Sequence, residues 1–567
     1  MGLQTKPSTA AYCRKGGLPA GVVDGGWRVD VTAVGETIGQ LRAASRITYH
    51  GRLKVGSLFR SRWQMTYQLY WGDLHSHCSI SYGEGTVAQA LARARRQLDF
   101  CSITGHAFWP DMPVDRQQYG DIIDYHNEGF ARLAKNWDRL LAEQAAGSRS
   151  DTFLALPSYE WHSLKYGDHN VYAAGPELPL LSAPDLPALR EVARAASAIV
   201  IPHHIGYAAG YRGIDWEYFD AGLSPFVEIY SLHGCSESEE APYPMLHDMG
   251  PRDWQSTASA GWTNGHRFGV IASTDHHGGY PGSHGDGRVG VWASNLTREA
   301  IWEAFLARRV YAVTGDKIEA RMLVDGAEMG GEIESTAGRR IELDVRGSDA
   351  VDCVEILKND VVLKRLHPHL FDPGEIDRRG QQRFRLRITW GWGRKNESVP
   401  WSFDLALGDG AINAVETCFS GQAIVAPKGV GGHQTDADEQ DLPHEVLEQQ
   451  TRQLGWRSVT TGNLSMRHGT TQALSIELDG RLSDRLTLVA NGATIQYTLG
   501  DLLRRGRSHY LRGWLSEAVR IGPLIPEEDC RVKAAFEDAP GGSDRYRARV
   551  RQVNGQWAWL SPIWVDQ

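Results

Sequence analysis

Five short apolar segments in the first half of the chain each run directly into histidine or an acidic residue. Between about residues 71 and 320 these segments alternate with amphipathic stretches, which is the pattern of βα units around a parallel sheet or barrel. In such folds the functional groups lie just beyond the carboxyl ends of the strands. We therefore predict one functional site at that end. The residues that follow the five strands are His106, Glu160, His203, His204, His233, Asp275 and His277.

The predicted elements of this region are short. The predicted strands are residues 99–104, 152–158, 198–202, 226–231 and 269–273, and the predicted helices are residues 87–98, 125–144, 186–197 and 298–309. After about residue 325 the helical pattern is replaced by short alternating runs, which are typical of β-sandwich modules. The fold class that we predict is α/β, followed by a β-rich region.

With 567 residues, the chain is too long for one ordinary domain. We divide it into an N-terminal segment of uncertain fold, residues 1–70, an α/β region, residues 71–325, and a β-rich C-terminal region, residues 326–567. The C-terminal region is expected to hold one or two sandwich modules. A Gly-rich and then acidic stretch near 427–445 predicts an exposed loop within it.

Charge and composition exclude several classes of protein. The net charge of −9 argues against a protein that binds nucleic acid through a positive surface. No run of 18 apolar residues and no signal-peptide core occur, so we expect no contact with a membrane. The seven cysteines are scattered and form no CxxC pair, which suits reduced thiols in a cytoplasmic protein.

Histidine is concentrated where the predicted strands are, since 14 of the 21 lie between His75 and His284. His75 and His77 are two residues apart, so on a strand both imidazoles face the same side and can bind one cation. Asp275 and His277 repeat this spacing, and the Glu160 carboxylate can bridge two ions. Imidazole and carboxylate without thiolate suit zinc, manganese or iron.

Two further histidines, His204 and His276, stand next to these residues in the sequence. Alternation along a strand predicts that their side chains face away from the metal ions. We therefore assign them to packing or to supporting contacts rather than to metal binding.

A family resemblance is carried by six motifs that occur in this order: GDLHSH, SITGH, PSYEW, IPHH, VEIYSLH and STDHH. Together they resemble the polymerase and histidinol phosphatase (PHP) family over roughly residues 70–320. The resemblance implies a distorted (β/α)7 barrel with a seven-stranded sheet. The chain is similar to a branch of the family that adds β modules after the barrel.

The resemblance also implies three clustered metal ions. The ligands that it implies for the first ion are His75, His77, Glu160 and Asp275. Those for the second ion are Glu160, His203 and His233, and those for the third are His106 and His277. The chain departs from the family pattern at Tyr82, where an acidic residue or histidine is usual, and at Gly105, where aspartate is usual. We therefore expect two or three divalent ions.

The resemblance implies a metal-dependent hydrolase that uses a metal-bridging hydroxide. The substrate that suits such a site best is a small phosphate mono- or diester. In this interpretation Glu160, Asp275 and His169 take part in catalysis, with His169 as a candidate general acid. Loop residues that can reach the substrate are His162, Arg212 and Arg288.

Two alternatives remain open at this stage. One is an enzyme that acts on a glycoside or another carbohydrate derivative, with the β modules binding the sugar. The other is a metal-stabilised binding protein without turnover. In each case the expected partner is a small molecule, phosphorylated or sugar-like, and the sequence leaves the oligomeric state undetermined.

Overall fold

All five segments predicted as strands form strands in the computed structural model, which describes residues 67–336, 338–368, 380–421, 444–462 and 471–567. The predicted segment 1–70 lies outside the described residues apart from 67–70, as does the predicted loop near 427–445 apart from 444 and 445. The strands of the first half are β1 (Gln68–Asp73), β2 (Phe100–Ser102), β3 (Gly105–Phe108), β4 (Leu154–Leu156), β5 (Ser158–Trp161), β6 (His169–Ala173), β7 (Ala198–Pro202), β8 (Phe226–Ser231), β9 (Gly234–Cys235), β10 (Gly269–Ala272), β11 (Arg288–Ala293) and β12 (Val310–Val313).

The helices begin where the sequence offers capping side chains. They are α1 (Val87–Arg95), α2 (Arg116–Gly147), α3 (Leu186–Ala195), α4 (Ala258–Thr263), α5 (Arg298–Leu306) and, in the C-terminal region, α6 (Leu499–Leu502). Thr86 forms a capping box with Gln89 at the start of α1. Asp115 accepts hydrogen bonds from the first backbone N–H groups of α2, so this helix starts well before the predicted residue 125. None of the described helices is long and apolar enough to span a membrane.

The mixed α/β architecture is confirmed, but a complete (β/α)7 barrel is not what the strand pairing shows. Strand pairs β1–β2, β2–β4, β3–β5 and β8–β10 are parallel, as predicted. Pairs β5–β6, β6–β7, β1–β11 and β11–β12 are antiparallel. The described residues contain six helices, of which α6 lies in the C-terminal region, whereas a (β/α)7 barrel needs seven. Antiparallel pairing of β6 and β11 with their neighbours also departs from the all-parallel strand arrangement of such a barrel.

From residue 319 onwards the described chain is rich in strands, most of which pair antiparallel with their neighbours. They are β13 (Glu319–Val324), β14 (Ala327–Glu328), β15 (Glu332–Glu334), β16 (Arg339–Arg346), β17 (Val351–Lys358), β18 (Val361–Leu366), β19 (Gln382–Trp392), β20 (Ser398–Leu407), β21 (Ala411–Cys418), β22 (Glu445–Gln449), β23 (Gln453–Thr461), β24 (Gln472–Gly480), β25 (Arg485–Ala490), β26 (Ala493–Thr498), β27 (Arg507–Tyr510), β28 (Glu517–Pro526), β29 (Arg531–Asp538), β30 (Asp544–Gln552), β31 (Trp557–Leu560) and β32 (Ile563–Asp566).

Two five-stranded sheets of this region pack their apolar sides into one core. Their strand orders are β21-β24-β19-β28-β27 and β22-β23-β20-β25-β26. The side chains of Trp390, Phe403 and Trp456 lie in that core, with Phe403 and Trp456 stacked at 4.5 Å between ring centroids. Alternating burial along β20 matches the alternating sequence that predicted strands here. The six cysteines of the described ranges are buried and free.

The last strands of the chain extend the sheet of the first half, and the described residues from 67 onwards belong to one compact unit. The shared sheet has the order β15-β32-β30-β31-β12-β11-β1-β2-β4. Asp316 reinforces this junction, because its buried carboxylate accepts hydrogen bonds from His284 Nε2 at 2.7 Å and Arg387 Nη2 at 2.7 Å. It also accepts from Gln552 Nε2 and Asn554 Nδ2. The predicted boundary at residue 325 thus falls between strands of one sheet.

Candidate metal centre

The polar residues that end the strands converge on one buried cluster. The eight residues predicted as metal ligands, His75, His77, His106, Glu160, His203, His233, Asp275 and His277, are each at most 6% exposed. His106 and Glu160 lie on paired strands and are directly opposite one another in the β3–β5 register. The segment after β1 pairs with the segment after β10, since the backbone N–H of Asp275 donates to His75 O and that of His77 donates to His276 O.

Asp73 holds these two segments together. Its carboxylate accepts hydrogen bonds from the backbone N–H groups of His75, Thr274 and Gly282, at 2.7–3.1 Å. Because these donors come from both strand ends, Asp73 fixes the His75–His77 pair beside the Asp275–His277 pair. Asp275 itself has a φ of 53°, a left-handed conformation that aspartate tolerates better than most residues.

Two carboxylates occupy the middle of the cluster. Glu160 Oε1 lies 2.9 Å from His203 Nε2, and Glu160 Oε2 lies 3.5 Å from His77 Nε2. Asp275 Oδ1 lies 3.3 Å from His75 Nε2 and 3.1 Å from His77 Nε2, and its Oδ2 lies 3.0 Å from His233 Nε2. Four rings therefore direct the same nitrogen, Nε2, towards the two carboxylates.

The remaining two rings face each other. His106 Nε2 and His277 Nε2 are 3.1 Å apart, and His277 Nδ1 lies 3.0 Å from Asp275 O, to which it can donate a hydrogen bond. With its proton on Nδ1, a neutral His277 presents a lone pair at Nε2. A cation or a proton is then needed between the two facing nitrogens, as at a metal site.

Unsatisfied polar atoms support the same interpretation. His75 Nε2 and Glu160 Oε2 are buried and make no well-aligned hydrogen bond, although Asp275 Oδ1 lies 3.3 Å from the former and His106 Nδ1 lies 2.8 Å from the latter. Burying a charged oxygen or a ring nitrogen without a partner is costly, and a coordinated cation removes this cost. The residues present therefore fit divalent metal ions. Groups whose ligand atoms all lie within 4.8 Å include His75 with His77 and Glu160, His77 with His106 and His277, and His204 with His233 and Asp275.

The protonation states suit cation binding. Burial alone would raise the pKa of Glu160, but the imidazoles of His162, His106 and His203 lower it well below its usual value. For Asp275 the effect of burial is likewise outweighed, mainly by His75 and His233, so its pKa is also lowered. Both carboxyl groups are thus ionised at neutral pH.

The pKa values of His106, His203 and His277 are well below normal, because burial disfavours the imidazolium and neighbouring imidazoles add to the effect. Neutral imidazoles have a lone pair to donate to a metal ion. These three imidazoles are thus ready to bind a cation, whereas Asp275 and Glu228 raise the pKa of His75 well above normal despite its burial, so His75 must lose a proton when it binds a metal ion.

Several side chains that the sequence analysis missed orient these rings through their outer nitrogens. His75 Nδ1 lies 3.1 Å from Glu228 Oε2, and His233 Nδ1 lies 2.7 Å from the hydroxyl of Tyr207. Such contacts fix the tautomer and the orientation of a ligand ring. Glu228 was detectable in principle, because it is a charged residue within the otherwise apolar strand β8.

His162 lies behind His106 instead of at an open loop position. Its Nε2 is 3.2 Å from His106 Nδ1, and its Nδ1 is 3.0 Å from Asp168 Oδ2. A hydrogen-bonded chain from Asp168 through His162 to His106 leaves His106 Nε2 free to bind a cation. The structure thus places His162 in a supporting position, where a substrate contact had been predicted.

We expect His162→Ala to weaken metal binding by about 10–100-fold, because His106 loses the partner that orients its ring. The affinity can be measured by competition with a chelating dye. His266→Ala, which removes a histidine stacked on Trp216 outside the cluster, is the matched control. Equal metal affinities of the two variants would contradict this role of His162.

His204 does not face away from the cluster as strand alternation predicted. Its φ of 32° ends the extended conformation directly after β7, so His203 and His204 both turn inwards. The His204 ring centroid lies 4.8 Å from that of His233, and its Nε2 lies 3.4 Å from Asp168 Oδ2. His204 thus belongs to the cluster.

The three other predicted site residues have different surroundings. Arg212 forms a close ion pair with Asp168 and lies over the Trp109 ring at 4.9 Å, with 16% of its side chain exposed. The Arg288 guanidinium is fully buried and donates to Gly282 O and Gln97 Oε1, contacts that hold a loop. Burial lowers the pKa of His169 to about 3, so the ring is neutral at neutral pH, and its Nδ1–H can donate to Gly167 O at 2.9 Å.

Tyr82 and Gly105, the two positions at which the expected pattern is not met, both lie in close contacts. The Tyr82 ring stacks on His106 with 3.6 Å between ring centroids and 6° between ring planes. Gly105 packs against helix α2, where an added Cβ would lie 2.4 Å from Leu133 Cδ1. A larger residue at position 105 would therefore collide with the helix.

Comparisons with known proteins find similarity over parts of the chain. Residues 281–338 match the model of a family described as a protein of unknown function (DUF3604). Uncharacterised proteins of Chlamydia muridarum and Chlamydia pneumoniae are 27% and 30% identical over 173 and 178 residues. Each match covers 28% of this chain and 28% of the relative. A crystal structure of a two-domain protein from Bacteroides vulgatus, containing a predicted PHP-like metal-dependent phosphoesterase, has a TM-score of 0.29 at 16% identity and covers 54% of this chain and 81% of its own.

Proposed function

We propose that the protein is a metal-dependent hydrolase that acts on a small phosphate mono- or diester at a PHP-type site. The observation that carries this proposal is the buried arrangement of imidazole Nε2 atoms around the Glu160 and Asp275 carboxylates, with unsatisfied atoms directed into the same space. Such an arrangement is costly without a cation and chemically complete with one.

Two or three ions of zinc, manganese or iron are the cofactors that we propose. His75, His77, Glu160 and Asp275 would hold the first ion, and Glu160, His203 and His233 the second. His106 and His277 would hold the third, with His77 close to them. When bound, such ions supply hydroxide at neutral pH and stabilise the charge that develops on a phosphoryl oxygen.

The protein's own residues would prepare the site for that reaction. Glu160 and Asp275 remain ionised, so they hold cations without first releasing a proton. The almost complete burial of the cluster restricts water around the reacting ester. Arg212 is the cationic side chain that we propose for substrate orientation, since its guanidinium is held by Asp168 at the edge of the cluster and is still partly exposed. Arginine recognises phosphate oxygens through directed N–H groups.

The carbohydrate alternative receives less support. Trp390 is fully buried in the core between the two sheets, and the exposed aromatic rings of the C-terminal region, Trp392, Tyr510 and Trp514, are not part of the metal cluster at which the reaction would take place. We therefore propose the phosphate ester as the substrate class.

The test is nitrophenolate release from a panel of nitrophenyl phosphate, bis-nitrophenyl phosphate and nitrophenyl glycosides. Metal-free protein is assayed alone and after addition of manganese, zinc or iron. We expect release from a phosphate ester that depends on the added metal and is abolished by chelator. Release that is insensitive to chelator, or release from glycosides alone, would contradict the proposal.

A further inference from the structure

The C-terminal region contacts the segment that bears Asp275 and His277. Immediately after β21, the residues Phe419–Gly421 run alongside the loop that follows His277. The backbone N–H of His284 donates to Phe419 O at 2.9 Å, and Ser420 Oγ donates to His284 O at 3.0 Å. The backbone N–H of Gly421 donates to Ser283 Oγ at 3.1 Å. These bonds hold residues 419–421 against the loop.

Gly421 packs against Tyr280 and His276, and this close contact is possible because glycine has no side chain. A Cβ added there would lie 2.6 Å from Tyr280 Cβ and 2.7 Å from His276 Cε1. Tyr280 cannot yield easily, because its Cβ is next to the backbone and the residue is 3% exposed. The His276 ring, 1% exposed, would have to move, or residues 419–421 would have to lift away.

His276 stands between two predicted ligands, so a shift there is transmitted to both. Its carbonyl accepts the backbone N–H of His77, and the carbonyl of His277 accepts that of Glu84. The first bond pairs the Asp275–His277 segment with the His75–His77 segment, and the second joins it to the loop that contains Glu84. Asp275 already has a left-handed backbone conformation, which leaves it little freedom to compensate.

We propose that Gly421 is a positioning residue of the metal centre: residues 419–421 of the C-terminal region fix the segment that presents Asp275 and His277. This inference rests on the proposed function, because it assumes that these side chains bind metal. It makes the C-terminal region a structural part of the site, in addition to any function of its own.

The experiment uses Co2+ as the probe, because its visible absorption reports ligand number and geometry. Metal-free wild-type protein, Gly421→Ala and Gly455→Ala are titrated with Co2+ and followed by absorption and by metal analysis. Gly455→Ala is the matched control, since the same added Cβ would meet its nearest atom at 3.7 Å. We expect Gly421→Ala to bind Co2+ at least about tenfold more weakly and with an altered spectrum, as for the loss of an outer support. The control should match the wild type.

A merely structural defect would lower the melting temperature of the metal-free variant and leave the cobalt spectrum unchanged. Wild-type cobalt affinity and spectrum in Gly421→Ala would therefore overturn the inference and leave the proposed function standing. If the wild type binds neither Co2+ nor the other ions, both fail.

If Gly421→Ala does not fold, Ser420→Ala tests whether residues 419–421 position the metal ligands. This variant removes the hydrogen bond to His284 O and adds no volume. We expect a reduction in cobalt affinity of about threefold, the effect of one such hydrogen bond. An unchanged affinity and spectrum in Ser420→Ala would overturn the inference.

Discussion

Replacement of Glu160 by glutamine is expected to abolish metal-dependent hydrolysis, with a loss of about 10³-fold or more. Glutamine keeps the size of the side chain but removes the negative charge that lies 2.9 Å from His203 Nε2 and 3.5 Å from His77 Nε2. The cluster would keep its imidazoles and lose one of its two central carboxylates. We therefore also expect less bound metal in Glu160→Gln, as measured by elemental analysis alongside the ester assay.

Glu217→Gln is the matched control, because Glu217 is exposed and its replacement removes the same charge outside the cluster. It should keep wild-type activity and metal content. Activity of Glu160→Gln within about threefold of this control, a difference of less than 1 kcal/mol in barrier height, would refute the role of Glu160 as a shared metal ligand.

Removal of the metal is expected to destabilise the folded protein. The ionised carboxylates of Glu160 and Asp275 are buried, so without cations they have lost hydration and lack full compensation. A ligand present at 100 times its Kd stabilises the state that binds it by about 2.7 kcal/mol. We expect chelator to lower the Tm by several degrees and added manganese or zinc to restore it.

The same treatment of Glu160→Gln provides the control for the chelator experiment. That variant should hold less metal, so chelator should change its Tm less than it changes that of the wild type. A wild-type Tm that is unaffected after elemental analysis has shown complete metal removal would contradict a stabilising metal centre.

The sequence predicted the members of the cluster because the ends of parallel strands meet at one edge of a sheet. His106 and Glu160 illustrate this, since each follows an apolar run and the β3–β5 pairing then sets them side by side. The His75–His77 and Asp275–His277 spacings indicated neighbouring residues for a related reason. The segments after β1 and β10 pair through their backbones, with the N–H of Asp275 donating to His75 O, and this pairing brings both motifs together.

Side-chain direction at the strand ends was less predictable. A left-handed φ at His204 interrupts the alternation of side chains along the strand, and no feature of the Ile-Pro-His-His sequence predicts it. The outer partners are equally hard to infer, because Asp168 reaches His162 from the following loop. Arg288 and His169 have surroundings that the sequence did not indicate. Both are polar residues near the site in sequence, and burial assigns them to packing and hydrogen bonding.

The division of the chain was limited by pairing between distant segments. Strand β12 hydrogen-bonds with β31, which lies near the other end of the chain, so both predicted regions share a sheet. Antiparallel returns at β6 and β11 likewise depend on tertiary pairing rather than on local sequence pattern. Local periodicity identifies a strand but not its partner, which is why the complete barrel was predicted and is not seen.

The central claim is that the buried cluster binds metal ions, and a count of bound metal tests it most directly. Wild-type protein is incubated with manganese, zinc or iron, freed of loosely bound ions, and analysed for metal and for protein. The cluster predicts two or three ions per chain, with fewer in Glu160→Gln and an unchanged number in Glu217→Gln. Wild-type protein that retains no more metal than the Glu160→Gln variant would contradict the account.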